Sequence, residues 1–252
     1  MNPHRMNQKT FKILALETST EFGSIALLNH NETLAEICFG GGITHTERLL
    51  PALDWILKIS RTPLSEIQAL AVGVGPGSFS GLRIGMATVL GMAWAQKIPL
   101  LGVSSLKALA GNLPFFSGTV CPLIDARKGE IYWSLYRSEN GTLSALAEEK
   151  VSPLAEILEA VTLPAIFLGT GALRYHRAIE AWKDGKARVG DPGLAYPCAR
   201  QVGILAGERL ARGETDDPRT LMPNYIRKSE AELTHPETNR DGGGKENKLE
   251  SH

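Results

Sequence analysis

The sequence has no paired cysteines, no net charge and no metal-binding histidine pair. Three cysteines occur in 252 residues, Cys38, Cys121 and Cys198, widely spaced and without a CxxC. An odd, scattered set points to reduced thiols in a cytosol rather than to a disulfide framework. The 27 Lys and Arg are balanced by 27 Asp and Glu, so no global field draws the chain to RNA, DNA or anionic lipid. If nucleic acid is involved, a partner is expected to do most of the holding. No apolar run approaches a membrane span. The opening MNPHRMNQKT is polar, so no secretory signal is expected there. These absences together predict a soluble, cytoplasmic protein. The length allows one large domain or two small ones with a substantial core.

Glycine, by contrast, is concentrated where it should cost stability. In AVGVGPGSFSGLRIGMATVLGMAWA, residues 71–95, an apolar strand runs to Gly75 and a Gly75-Pro76-Gly77-Ser78 turn follows. Ser78 or Ser80 is placed to cap a helix carrying Gly81, Gly85, Ala87, Gly91 and Ala95. Each interior glycine costs about 1 kcal/mol relative to alanine, so three imply close approach of another backbone. Backbone N–H groups at such a helix start favour anions. No Lys-Ser or Lys-Thr closes the loop, however, and the dinucleotide fingerprint fails in its third glycine and its acidic residue. The motif alone leaves two alternatives, a plain strand-to-helix turn or a real or vestigial phosphate cradle.

Three strands, Phe11 to Leu16, Ser24 to Leu28 and Leu34 to Phe39, are expected as an antiparallel meander. The turn Glu17-Thr18-Ser19-Thr20-Glu21 either contacts a phosphate or simply satisfies its own backbone. After Gly40-Gly41-Gly42, Thr44 and Glu47 fit a capping box. The helix they open carries Leu49, Leu50, Leu53, Ile56 and Leu57 on one face, with Pro51 expected to kink it. Strand, glycine-rich helix, strand and a helix from Ser104 follow. The order then recurs: strands at Thr119 to Ile124 and Ile131 to Tyr136, an Asn140-Gly141 hairpin, a helix with Pro153 at its first position, a strand at Ala165 to Leu168, then helices at Ala172 to Trp182 and Pro197 to Ala211. Two copies of one order predict two α/β lobes. The expected divisions are a flexible N-terminus at 1–10, a first lobe at 11–108, a second at 109–228 and a polar, disordered tail at 229–252.

The segments ILALETST, THTERLLPALDWIL, VGVGPGSFSGLRIGMATVLGMAWA, GVSSLKAL, LIDARKGEIYW and PNYIR, in this order, closely resemble the bacterial TsaB (YeaZ) family over roughly Lys12 to Arg227. The resemblance implies an actin-like, sugar-kinase-like α/β fold of two ribonuclease-H-like lobes. It implies a dimerization subunit in the making of threonylcarbamoyladenosine beside the anticodon of tRNAs that read ANN codons. The partner TsaD would transfer the group, TsaE would join through TsaD, and tRNA would be contacted indirectly. Alone, the chain would be a homodimer. ATP and ADP would belong to partner subunits, with no cofactor bound here. In the catalytic paralogue two histidines of a Val-Asn-His-x-x-x-His-like segment bind a metal, whereas Ser105 and Leu109 stand at those positions here. Leucine cannot ligate and a serine hydroxyl is a poor substitute for imidazole, so no metal site is expected. Glu17 replaces the aspartate common in actin-like ATPases, against efficient nucleotide hydrolysis.

The resemblance therefore implies no catalytic residue. It implies a partner face of His45, Glu47, Arg48, Leu49, Leu53, Ile56, Gly81, Arg83, Gly85 and Thr88, drawn from the first two helices. Thr18, Ser19, Gly75, Gly77 and Ser78 would be vestigial phosphate loops. Asp125, Arg127, Glu130 and Tyr132 match the family's second-lobe turn, read as structural or as a contact in the cleft between lobes. The rival functions are an independent ATP-dependent phosphotransferase, working through Thr18 to Thr20 and the Gly75 to Ser78 loop, and a metallopeptidase.

Overall fold

Leu14 and Leu16 face one side of the first strand, Ile13 and Ala15 the other, and all four are fully buried. A strand apolar on both faces needs a layer above and a layer below. The computed structural model, which describes residues 11–40 and 44–227, supplies both. The first sheet has the order β3-β2-β1-β4-β5, from β1 (Lys12–Glu17), β2 (Gly23–Asn29), β3 (Glu32–Phe39), β4 (Ala69–Gly75) and β5 (Leu100–Ser104). β1 to β3 form the expected antiparallel meander, and β4 and β5 add in parallel. On one face, α1 (His45–Ile59) and α2 (Phe79–Gln96) bring Leu49, Ile56, Met86 and Val89 onto Leu14, Leu16, Ile25 and Leu27.

The opposite face is covered from far along the chain. α7 (Ala199–Ala211) sets Ala199, Val202, Leu205 and Ala206 against Ile13, Ala15, Ala26, Leu28, Ala71 and Leu101. It lies so close that a Cβ on Gly203 would stand 2.3 Å from Leu28 Cδ1. The expected second lobe at 109–228 therefore does not keep its last helix, because α7, with Ala108 of the helix after β5 beside it, buries this apolar face. The following segment stays on the first lobe as well: Asp216 bridges to Leu100, and Asn224 N donates to Val74 O at 2.7 Å. Between the lobes, α3 (Ser105–Ala110) turns Ala108 toward the α7 layer and Leu106, Leu109 and Ala110 toward the second sheet.

The second sheet runs β10-β7-β6-β11-β12, with β6 (Gly118–Arg127), β7 (Glu130–Trp133), β10 (Lys150–Pro153), β11 (Ala165–Leu168) and β12 (Ala187–Val189). β8 (Tyr136–Glu139) pairs with both β6 and β9 (Thr142–Ala145). Asn140 and Gly141 turn that hairpin at φ 52° and 78°, as their sequence demands. Taking β6 as the first strand, the order matches the first sheet. α4 (Leu154–Ala160), α5 (Thr170–Arg174) and α6 (His176–Ala181) accompany it around Leu123, Ile131, Ile157, Phe167 and Ile179.

Several local expectations change. Thr44 is the N-cap of α1, but its hydroxyl makes no capping bond, so the capping box with Glu47 does not form. The single strand expected at Ile131 to Tyr136 breaks into β7 and β8. Pro153 caps α4 from outside rather than opening it, and the helix expected at Ala172 to Trp182 is split into α5 and α6. β10 and β12 were not anticipated. The expected N-terminus at 1–10, the tail at 229–252, and Gly41 and Gly42 of the glycine breaker lie outside the described residues.

Candidate functional site

The two glycine- and hydroxyl-rich turns lie against each other at the ends of β1 and β4. Ser78 N donates to Ser19 O at 2.6 Å, and a Cβ on Gly77 would stand 2.2 Å from that same carbonyl oxygen. Thr18 Oγ1 donates to Gly81 O at 2.8 Å. Ser19 N donates to Glu17 Oε1 at 2.6 Å, Ser105 Oγ to Glu17 Oε2 at 2.9 Å, and Gly75 N to Ser105 Oγ at 3.3 Å. At the start of α2, Gly81 N donates to the Ser78 hydroxyl at 3.4 Å. Thr18, Ser19, Gly75, Gly77 and Ser78 are thus brought together, and Ser78 N, Ser19 N and the Thr18 hydroxyl are turned onto the protein's own acceptors, while the buried Ser19 hydroxyl has no partner among the described residues. Burial raises the Glu17 carboxyl above its ordinary value, against the lowering effect of the Ser19 and Ser105 bonds. Glu17 has no exposed surface, and a Cβ on Gly73 would overlap its Oε2 at 2.0 Å. Ser105 is a hydrogen-bond bridge between two turns, and Leu109 belongs to the second-lobe core.

The same packing explains the glycines of α2. A Cβ on Gly81 would stand 2.1 Å from Thr18 O, and one on Gly85 2.3 Å from Thr18 Oγ1. The close approach that the sequence implies is therefore internal: Gly81 and Gly85 face the first turn and not a partner. Leu49 and Ile56 are likewise buried against the first sheet, and Leu53 packs beside them, so these leave the expected partner face. His45 is drawn inward too, its Nε2 donating to Thr20 O at 2.7 Å and its ring edge-on to Phe39. Arg48 donates to Gly40 O at 2.9 Å. Glu47, Arg83 and Thr88 remain at the surface or near it. Arg83 lies over the Phe79 ring, 3.8 Å from its centroid, and donates to the Tyr225 hydroxyl at 3.2 Å.

The outward side of α1 and α2 carries a different set. Leu50, Trp55, Ile59 and Trp94 are 61%, 59%, 52% and 61% exposed. Between the helices a shallow groove of about 450 Å³ is lined by Leu50, Leu64, Ala87, Thr88, Gly91, Met92, Ala95 and Gln96. Nothing lies within 4 Å of a Cβ built on Gly91. A floor of Ala, Gly and Ala, walled by large apolar side chains, is a surface on which another helix can approach closely. Periodicity singled out Leu49 and Ile56 because they repeat on the core-facing side. Leu50, counted on that same face, is exposed instead, and Trp55 and Trp94 were missed because they fall off the stripe, a departure that was itself the signal.

A second polar cluster ties the lobes together. Glu149 accepts from the Ser104 hydroxyl, from Asn224 Nδ2 at 2.7 Å and from the Tyr136 hydroxyl at 3.4 Å. Burial raises its carboxyl above the ordinary range, against those bonds to Ser104, Tyr136 and Asn224. Nearby, Arg227 reaches Ala126 O at 3.3 Å and Glu130 at 3.2 Å. Asp125 accepts from Arg127 N and Arg174, so the second-lobe turn is internally braced. Tyr132 is half-buried beside it. Among the described residues no three His, Cys, Asp or Glu gather as a metal site would require.

Two lobes with one strand order, three antiparallel strands followed by two parallel ones, define an α/β protein of the actin-like, sugar-kinase-like class. Its loops are closed and its first two helices carry the open apolar surface. The family model for TsaD, tRNA N6-adenosine threonylcarbamoyltransferase, matches residues 40–235. A tRNA threonylcarbamoyladenosine biosynthesis protein TsaB from Bacillus subtilis is 33% identical over 87% of this chain and 96% of the relative. Its counterpart from Escherichia coli is 35% identical over the same shares. The solved structure of YeaZ from Pseudomonas aeruginosa superposes with TM-score 0.73 at 33% identity, covering 85% of this chain and 99% of that one. The chain belongs to the TsaB (YeaZ) family.

Proposed function

We propose that this protein is a non-catalytic subunit in the biosynthesis of threonylcarbamoyladenosine on tRNA, acting in the cytoplasm by docking on TsaD through the outer face of α1 and α2. The observation that carries this is the open groove floored by Ala87, Gly91 and Ala95 and edged by exposed Leu50, on two helices that also expose Trp55, Ile59 and Trp94. Large apolar side chains clustered at a small-residue groove are unfavourable in water and favourable against a second helix pair. The engagement of Ser78 N, Ser19 N and the Thr18 hydroxyl within the protein, and the walled-in Glu17, support a scaffolding role for the loops, with ATP and ADP handled by the partners TsaD and TsaE. Activation then requires that this chain bind the active conformation of TsaD more tightly than the inactive one. In the absence of TsaD the same face pairs with a second copy.

Gly91→Leu tests this directly, because it fills the groove without touching the protein's own core. The variant is expected to keep its thermal midpoint, lose copurification with TsaD, and fail to restore tRNA modification to a TsaD and TsaE mixture. Full modification by TsaD and TsaE with no added chain would discard the activating role. Retention of TsaD by Gly91→Leu would move the interface elsewhere.

A further inference from the structure

The zero net charge conceals a polarised second lobe. Along 148–159, at β10 and α4, four acids (Glu148, Glu149, Glu156 and Glu159) stand against Lys150 alone. Along 174–188, from the end of α5 through α6 to β12, five cations (Arg174, Arg177, Lys183, Lys186 and Arg188) stand against Glu180 and Asp184. β10 and β12 are the opposite edges of the same sheet, so the acidic and basic stretches are held apart by its full width. All five cations are exposed. Arg174 is neutralised by Asp125 at 2.8 Å, but among the described residues no ion pair is found for Arg177, Lys183, Lys186 or Arg188. A groove of about 380 Å³, lined by Glu180, Ala187, Arg188 and Val189, runs beside the free edge of β12.

We propose that this basic edge of the second lobe is a direct contact for the sugar-phosphate backbone of RNA. It rests on the reading above, that the chain works beside TsaD on tRNA, and adds a contact of this chain's own. The aromatic rings present indicate how it binds. Lys183 Nζ sits 4.5 Å from the Trp182 ring centroid, and Trp182 is pinned edge-on by Phe167. Arg174 lies 5.7 Å from the Tyr175 centroid. These rings hold their own cations in place and are not free to stack bases, so recognition is of phosphates and independent of sequence. Four cations on one edge, with no ion pair among the described residues, match a few phosphates, a supplementary grip rather than the main one, in keeping with the neutral total.

The test is a salt series. An unmodified transcript of a tRNA reading ANN codons is titrated with the chain and TsaD together, from about 50 to about 200 mM monovalent salt. Arg177→Gln with Lys186→Gln is expected to reduce the slope of log affinity against log salt by about 2, and to weaken binding about tenfold at low salt. Glu156→Gln with Glu159→Gln, on the opposite edge, is expected to change neither. An unchanged slope in the doubly neutralised variant overturns the proposal. Retention of TsaD is read from the same samples. If the wild-type chain does not retain TsaD, the docking reading fails, and the same slope comparison on the chain alone decides the RNA contact.

Discussion

Gly85→Ala is the smallest change that asks whether the α2 glycines serve the fold or a partner. The added methyl would stand 2.3 Å from Thr18 Oγ1, well inside contact distance, and that hydroxyl is donating to Gly81 O. Either α2 moves away from the first turn or Thr18 rotates and its buried hydroxyl loses the Gly81 carbonyl. Overpacking of this kind costs about 1–3 kcal/mol, and loss of the buried bond about 1–2 more. The gain in helix propensity from glycine to alanine returns about 1 kcal/mol. The net loss is about 2 kcal/mol, or about 4–8 °C in thermal midpoint for a chain of this size. Calorimetry or circular dichroism reads it, with Gly91→Ala as control. There the methyl meets nothing, so propensity alone should raise the midpoint by about 2–4 °C. Adding Thr18→Ala to Gly85→Ala removes the obstructing hydroxyl and should recover part of the loss. If Gly85→Ala is as stable as the wild type and fails only to bind TsaD, the glycine faces outward and the packing described here is wrong.

Two further outcomes follow from the charged groups. Glu149 has its pKa raised by burial, so the folded state binds the proton more tightly than the unfolded one, and its contribution is lost as pH rises above the ordinary glutamate range. The stability difference between wild type and Glu149→Gln, from urea midpoints at successive pH values, should therefore shift against the wild type as pH increases; a difference independent of pH refutes this. Asp216 behaves oppositely. Burial works to raise its carboxyl, but the Arg209 and Gly102 bonds prevail and hold it low, so its stabilisation is present at neutral pH and disappears as pH falls through that depressed value. Asp216→Asn should lose about 1–3 kcal/mol at pH 7 and little in strong acid, and equal losses at both would refute the pairing.

Much of this architecture was legible because local chemistry and global position agree. The meander, the Asn140-Gly141 hairpin and the strand-turn-helix at 71–95 follow from apolar runs and turn residues that tertiary contacts do not override. What α2 faces was not legible. A stripe of small residues announces close approach, but Gly85 meeting Thr18 and Gly91 meeting nothing look alike in one dimension. The helical repeat of Leu49, Leu53 and Ile56 identified an apolar face and left open whose core it entered. Trp55 and Trp94, off the stripe, mark the free side. β12 is only three residues long and carries an arginine in its middle, too short and polar for periodicity to find. The placement of α7 depends on a long return across the molecule, which no window of sequence contains.

That return has a consequence for how the chain can be made and divided. As the polypeptide leaves the ribosome, the meander and its parallel strands emerge long before the helix that roofs their far side. Until then Ile13, Ala15, Ala26, Leu28, Ala71 and Leu101 have only water over them. A truncated first half would be a sticky half-shell rather than a miniature of the whole, and an expression fragment ending between the lobes should precipitate or recruit chaperones. Fragments intended to isolate the docking helices need residues 199–211 supplied in the same polypeptide, for instance by circular permutation or a short fused linker.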